Sequence, residues 1–154
     1  MSRKNLKKIG ALKRHRFRGT FEKYGFKYSD WKKQHAKPTL LLTEIYLIGE
    51  DKIELISDHI WLNLTLGFNR LGILTKGDVV GFDGRVATYQ KGYYLKGYSK
   101  DYKISHPSKV ILEKSVRTEH EKFPEQNRDI CNMIYDFYRD DYLSRSIPKP
   151  YIEY

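Results

Sequence analysis

The segment GYYLKGYSKDYK, residues 92–103, sets Tyr93, Tyr94, Tyr98 and Tyr102 among Lys96, Lys100 and Lys103. A phenol ring offers a flat face on which an unpaired base can stack, worth roughly 1–3 kcal/mol per base. A lysine neutralises a phosphate whatever the base beside it. Alternating the two would track a strand in which bases and phosphates also alternate. Gly92 and Gly97 keep the backbone loose enough to present the rings. A second cluster of the same kind lies upstream: Lys27, Tyr28, Trp31, Lys32, Lys33, His35 and Lys37. The plainer alternative for Tyr89, Tyr94 and Tyr102 is a cross-strand tyrosine ladder that only stabilises a hairpin.

Other chemistries lack their residues. The histidines at 15, 35, 59, 106 and 120 have no metal-ligand spacing, and Cys131 is the lone cysteine. Asp58 and His59 are neighbours on an extended segment, so they point to opposite faces and do not form a dyad. Asp78 and Asp83 are too few for the convergent carboxylates of a metal nuclease. No glycine-rich phosphate loop ending in Lys-Ser/Thr occurs. Ser/His/Asp arrangements stay open, with nothing in the order of residues to favour one. The expectation is a protein without catalysis, metal or cofactor.

The chain has 154 residues and a net charge of +10. Residues 1–37 hold 13 Lys+Arg against Glu22 and Asp30, a net of +11, while residues 38–154 come to −1. Charge focused on one end suggests a polyanionic partner more than a general solubility device. No apolar run reaches the roughly 18 residues of a membrane span, and the basic N-terminus lacks an apolar signal region. A soluble, cytoplasmic protein with no membrane partner is expected.

These side chains need elements to hold them. Residues 1–13 read as a basic flexible arm. RFRGTFEKYG then alternates, with Phe17, Gly19 and Phe21 on one face and Arg16, Arg18 and Thr20 on the other, a half-buried strand with room for a bend at Gly19. Residues 26–38 read as a loop. TLLLTEIYLI and IELISDHIWL are strands joined by the turn GEDK. Leu64, Phe68 and Leu71 then mark one face of a short helix, capped by Asn63 and ended by Gly72. VVGFDGRVATY is a fourth strand, with Val80, Phe82, Gly84 and Val86 inward and Arg85 outward. KISHPSKVILEK is a fifth, in which Pro107 requires an edge or a bulge. Trp61, near the end of the third strand, is either a stacking platform or core. From Pro124, an apolar stripe through Ile130, Met133, Ile134, Phe137, Tyr138 and Leu143 predicts a helix over about 124–143.

The order strand, loop, strand, turn, strand, short helix, strand, loop, strand resembles the OB-fold over about residues 14–116, and GDVVGFDGRVATY resembles the fourth strand of many OB domains. The resemblance implies a mainly β chain: a five-stranded OB-like barrel with a short helix between strands 3 and 4, residues 117–154 adding a C-terminal α-helix and tail. OB-folds bind oligonucleotides on strands 2 and 3 and on the loops joining strands 1–2 and 4–5. Those loops fall at 25–38 and 90–102, the two aromatic and basic clusters. The expected nucleic-acid contacts are therefore Lys27, Tyr28, Trp31, Lys32 and Lys33 from the first loop. Lys91, Tyr93, Tyr94, Lys96, Tyr98 and Lys100 come from the second, with Trp61, Arg16, Arg18 and Arg85 on the strands. The partner expected is single-stranded DNA or RNA. The chain also resembles small basic proteins of phages and mobile elements, which implies the alternative of a protein that docks on and inhibits a host nucleoprotein complex.

Overall fold

The computed structural model describes residues 14–28, 32, 33, 35–91 and 99–151, with the backbone alone at 87–91 and 99–103. The arm at 1–13, Trp31, Tyr93, Tyr94, Lys96 and Tyr98 lie outside the described residues. Five strands form one antiparallel sheet: β1 (Arg14–Tyr28), β2 (Ala36–Ile48), β3 (Ile53–Asn63), β4 (Val79–Lys91) and β5 (Ser99–Lys114). The spatial order is β3-β2-β1-β4-β5, so the sheet has two edges and is not closed into the expected barrel. Although β3 and β5 approach each other, no ladder joins them.

The core follows the alternation of the strands, with bulges resetting it. Phe17, Gly19 and Phe21 point inward from β1, and Tyr24 continues the series one residue out of step. The register with β2 shifts between Phe21 and Lys23, where Glu22 is the extra residue. In β2 the buried set passes from Leu40 and Leu42 to Ile45 across a second shift, and Glu44 adopts φ +50° there. Without that bulge, strict alternation would aim the Glu44 carboxylate at the core. Phe82, Val80 and Val86 of β4 complete the core as expected, and Phe17 meets Phe82 at 5.8 Å between ring centroids. The strand β5 is an edge with three register shifts, and Pro107 lies in the one between Asp83 and Arg85. Pro107 is therefore placed where a missing N–H is tolerated.

Both loops expected to carry the aromatic clusters are shorter than the sequence suggested. β1 runs on to Tyr28 and β2 starts at Ala36, with Tyr28 paired to Ala36. Lys27 and Tyr28 are thus strand residues. Likewise Lys91 ends β4 opposite Ser99, and Lys100 lies in β5 opposite Gln90. Polar and basic residues read as loop, but hairpin pairing satisfies their backbone groups just as well.

The helix between β3 and β4, α1 (Leu66–Asn69), is a single turn. It buries Phe68, as the spacing predicts, but Asn63 is the last residue of β3 and does not cap it. Gly72 ends the segment at φ +84°, where a Cβ would meet Glu121 O and His120 Cβ at 2.9 Å. The predicted C-terminal helix is two helices, α2 (Asn127–Phe137) and α3 (Arg139–Ser144), broken at Tyr138. Tyr138 leaves the helical backbone at φ −121°, ψ 33°, and its hydroxyl accepts the Tyr24 N–H of β1 at 3.0 Å, which ties the break to the sheet. Ile130 and Ile134 of α2 are buried against the sheet, whereas Phe137 and Leu143 are exposed and fall outside the packing face. Among the described residues no helix is long and apolar enough to cross a membrane.

Candidate nucleic-acid interface

β1 changes partner halfway along. Arg14–Thr20 pairs with β4, and Phe21 continues that edge by bonding the 77–78 turn (Phe21 N–H to Asp78 O, 2.7 Å; Gly77 N–H to Phe21 O, 3.0 Å). Beyond it the edge turns to the C-terminal helices. A groove of about 550 Å³ runs along this second half of β1. One side carries Lys23, Gly25 and Lys27 of β1, with Thr39 of β2 and Trp61 of β3. The other carries Tyr24, Phe26 and Tyr28 against Tyr138, Asp141, Tyr142 and Arg145.

Trp61 is 42% exposed, so the core alternative for it does not hold. Its ring lies across Gly25: a Cβ there would sit 3.0 Å from Cζ3, 3.1 Å from Cη2 and 3.2 Å from Thr39 Oγ1. Glycine at 25 is therefore what lets the indole lie close over the strand. Trp61 pairs with Leu41, which pairs with Lys23, so an indole and an ammonium share one row of the sheet. Among the described residues no carboxylate pairs with Lys23, Lys27 or Lys33; Lys33 Nζ stands 5.9 Å from the Tyr28 ring centroid. Lys32 is exposed in the same turn.

The opposite wall is aromatic and fixed. Phe26 packs on Tyr142 at 5.2 Å, and Tyr142 stacks on Tyr135 at 5.1 Å with ring planes 8° apart. Arg145 lies 5.2 Å over Tyr142 while bonded to Asp141 at 2.6 Å. Burial pushes the Tyr142 phenol up to about 12, with Arg145 pulling the other way. Burial raises Tyr138 and Tyr28 too. All three are neutral phenols near pH 7 and can donate hydrogen bonds. The groove thus combines an exposed indole, phenol rings and uncompensated ammonium groups, a set that can stack planar groups and attract anions.

The arginines stand elsewhere, on the β4–β5 side of the sheet. Arg16 bonds Asp83 at 3.2 Å and Lys109 O at 2.8 Å, and Arg18 bonds Glu113 at 2.5 Å. Neither lines the groove. Arg85 is exposed and faces Arg14 across the β1–β4 ladder. Of the expected contacts, the structure brings together Lys27, Tyr28, Lys33 and Trp61. The residues that sequence reasoning missed are Lys23, Gly25, Thr39, Tyr138, Tyr142 and Arg145. The helical ones had no local signal, because only the tertiary packing of α3 brings them to β1.

One further cluster has the residue types of a nucleophilic site. Ser115 Oγ is 2.7 Å from His120 Nε2, and His120 Nδ1 is 3.8 Å from Asp78 Oδ2. Each group is already committed. The fully buried Asp78 carboxylate accepts the N–H groups of Thr75 (2.9 Å) and Val116 (2.6 Å). His120 Nδ1 is nearer a carbonyl, Ile73 O at 2.9 Å, and Ser115 also bonds Arg117 O. Together they strap residues 115–121 onto 72–78, and Ile73 N–H to Glu121 O adds a backbone bond at 2.7 Å. Asp83 is likewise occupied, by Arg16. Among the described residues no three His, Cys, Asp or Glu side chains are grouped so as to hold a metal ion. Comparison of the chain with protein-family models, with curated proteins and with solved structures finds no match.

Proposed function

We propose that this chain is a non-enzymatic nucleic-acid-binding protein that prefers single strands and holds them in the groove between β1, Trp61 and α3. One observation carries the reading: Trp61, exposed on the sheet face, shares its groove with three lysines that no described carboxylate neutralises. An unpaired base can stack on the indole while its phosphates meet the ammonium groups. A duplex hides its base faces and gains only the charge attraction. We further propose that the sheet is an OB-like, partly open barrel. The strand order, the approach of β3 to β5 and the helical turn between β3 and β4 support this.

The test is a fluorescence-anisotropy titration with labelled single-stranded DNA, single-stranded RNA and duplex DNA at one salt concentration. Tighter binding of either single strand than of the duplex is expected. Equal affinity for all three, or none, would overturn the reading. Absence of affinity would turn attention to a protein partner for the same aromatic groove, since Tyr and Trp also dominate protein interfaces.

A further inference from the structure

We propose a second anion site, separate from the groove, in which Arg14 and Arg85 grip a phosphate at the bulged end of β5. The outward arginines of β1 meet three different partners on β4. Arg16 faces Asp83 and bonds it, while Arg18 faces Gly81 and reaches past it to Glu113. Arg14 faces Arg85. Like charges directly opposite each other on a sheet are destabilising, and neither has a carboxylate partner among the described residues. A ladder position that keeps two arginines directly opposite, beside two neighbours that are paired, is one that an anion would complete.

The surroundings fix the geometry without cancelling the charge. Arg14 donates to His106 O at 2.5 Å and to Ser108 Oγ at 2.7 Å, both neutral acceptors. These bonds draw its guanidinium across β4 toward β5. Ser105 pairs with Arg85 on that strand. His106 and Lys109 both hold left-handed backbone, at φ +53° and +48°, in consecutive bulges of β5. Non-glycine residues in that region are strained and persist where the surroundings over-determine them, often at ligand sites. Lys109 is exposed, and its nearest acid, Asp83 at 3.9 Å, is shared with Arg16. The local balance therefore stays positive. Paired guanidinium forks match a tetrahedral oxyanion in shape as well as charge.

The ligand chemistry is phosphate, either in a nucleic-acid backbone or as a free phosphate. Side-chain NMR of the intact chain, following the arginine Nε–Hε signals, separates these. Inorganic phosphate is titrated first, against sodium chloride of matched ionic strength, and then a single-stranded oligothymidine. Saturable shifts at Arg14 and Arg85 with phosphate but not chloride are expected. If the oligonucleotide saturates them at lower phosphate concentration, a backbone is the ligand; if inorganic phosphate does, a free phosphate is. No shift with either, or the same drift with chloride, overturns the site. Arg85→Gln should abolish the response, and Arg85→Lys should keep charge but weaken it. Both residue positions are exposed, so melting temperature checks that the fold is unchanged. If a backbone is the ligand, Arg85→Gln should reduce the log–log salt slope of oligonucleotide binding by about 0.7. Trp61→Ala should leave that slope alone, so failure of the groove and failure of this site are read separately.

Discussion

Removing the Trp61 ring tests the groove most directly. In Trp61→Ala the stacking platform is gone, while Lys23, Lys27 and Lys33 remain. Loss of one stacked base costs roughly 1–3 kcal/mol, a weakening of single-strand binding by about 5- to 150-fold. Stability must be counted as well, because the ring is only 42% exposed and leans on Gly25 and Thr39. A little over half of a side chain that buries about 150–250 Å² leaves roughly 100 Å² covered, worth about 2–3 kcal/mol at 25 cal/mol per Å². At about 2–4 °C per kcal/mol, the melting temperature should fall by about 4–12 °C. Affinity is therefore measured well below the variant's transition, by anisotropy, with active fraction fixed by stoichiometric titration. Gly25→Ala supplies the complementary perturbation. Its Cβ would stand 3.0 Å from the indole, so the ring must shift though it stays present. A smaller loss than in Trp61→Ala is expected. If Trp61→Ala binds single strands as tightly as the parent, the stacking argument is wrong, whatever happens to stability.

Two other outcomes follow from buried polar groups. Asp78→Asn keeps one acceptor but turns an amide N–H toward the Thr75 or Val116 N–H, so one buried charge-assisted bond is lost; about 2–3 kcal/mol of stability should go with it, read from urea unfolding, and a change under ~0.5 kcal/mol would refute the strap. Burial pushes both Cys131 and Tyr142 up to about 12 from ordinary values of 9.0 and 10.0. The folded state holds these protons more tightly, so their contribution is intact below pH 9 and is lost progressively toward pH 12. The urea midpoint should fall across that window, and Cys131→Ala should delay the onset; a flat profile would count against it.

The alternation of Phe17, Gly19 and Phe21, and of Val80, Phe82 and Val86, made the inner face of the sheet readable, because a period of two is a local property. The bulges were less readable. Gly19 suggested a bend near the correct place, but the extra residue is on the partner strand, around Glu44, where nothing in TLLLTEIYLI marks it. Hairpin extensions were hidden for a similar reason: FKYSDWKKQHAKP is polar, and pairing of polar residues is decided by the partner strand. In the groove, Trp61 and Lys27 were visible as types, whereas Tyr142 and Arg145 come from a helix more than 100 positions away from β1. The paired state of Arg16 and Arg18 depended on which acids β4 and β5 set beside them, again a matter of register.

The change of partner along β1 also sets a timetable for folding. Arg14–Thr20 can pair once β4 exists, but Tyr24 must wait for Tyr138, 114 positions later. Ala36, at the start of β2, waits for Tyr151, whose hydroxyl receives its N–H at 2.9 Å across 115 positions. During synthesis at about 5–20 residues per second, the second half of the first strand therefore stands uncovered for several seconds. An edge rich in aromatics and lacking its cover is the kind of surface on which chains pair wrongly. Lys23 and Lys27 lie along that edge. Their repulsion toward the same edge of a neighbouring nascent chain would hold such copies apart until α3 arrives. The lysines that give the groove its charge would then guard the chain before the groove exists.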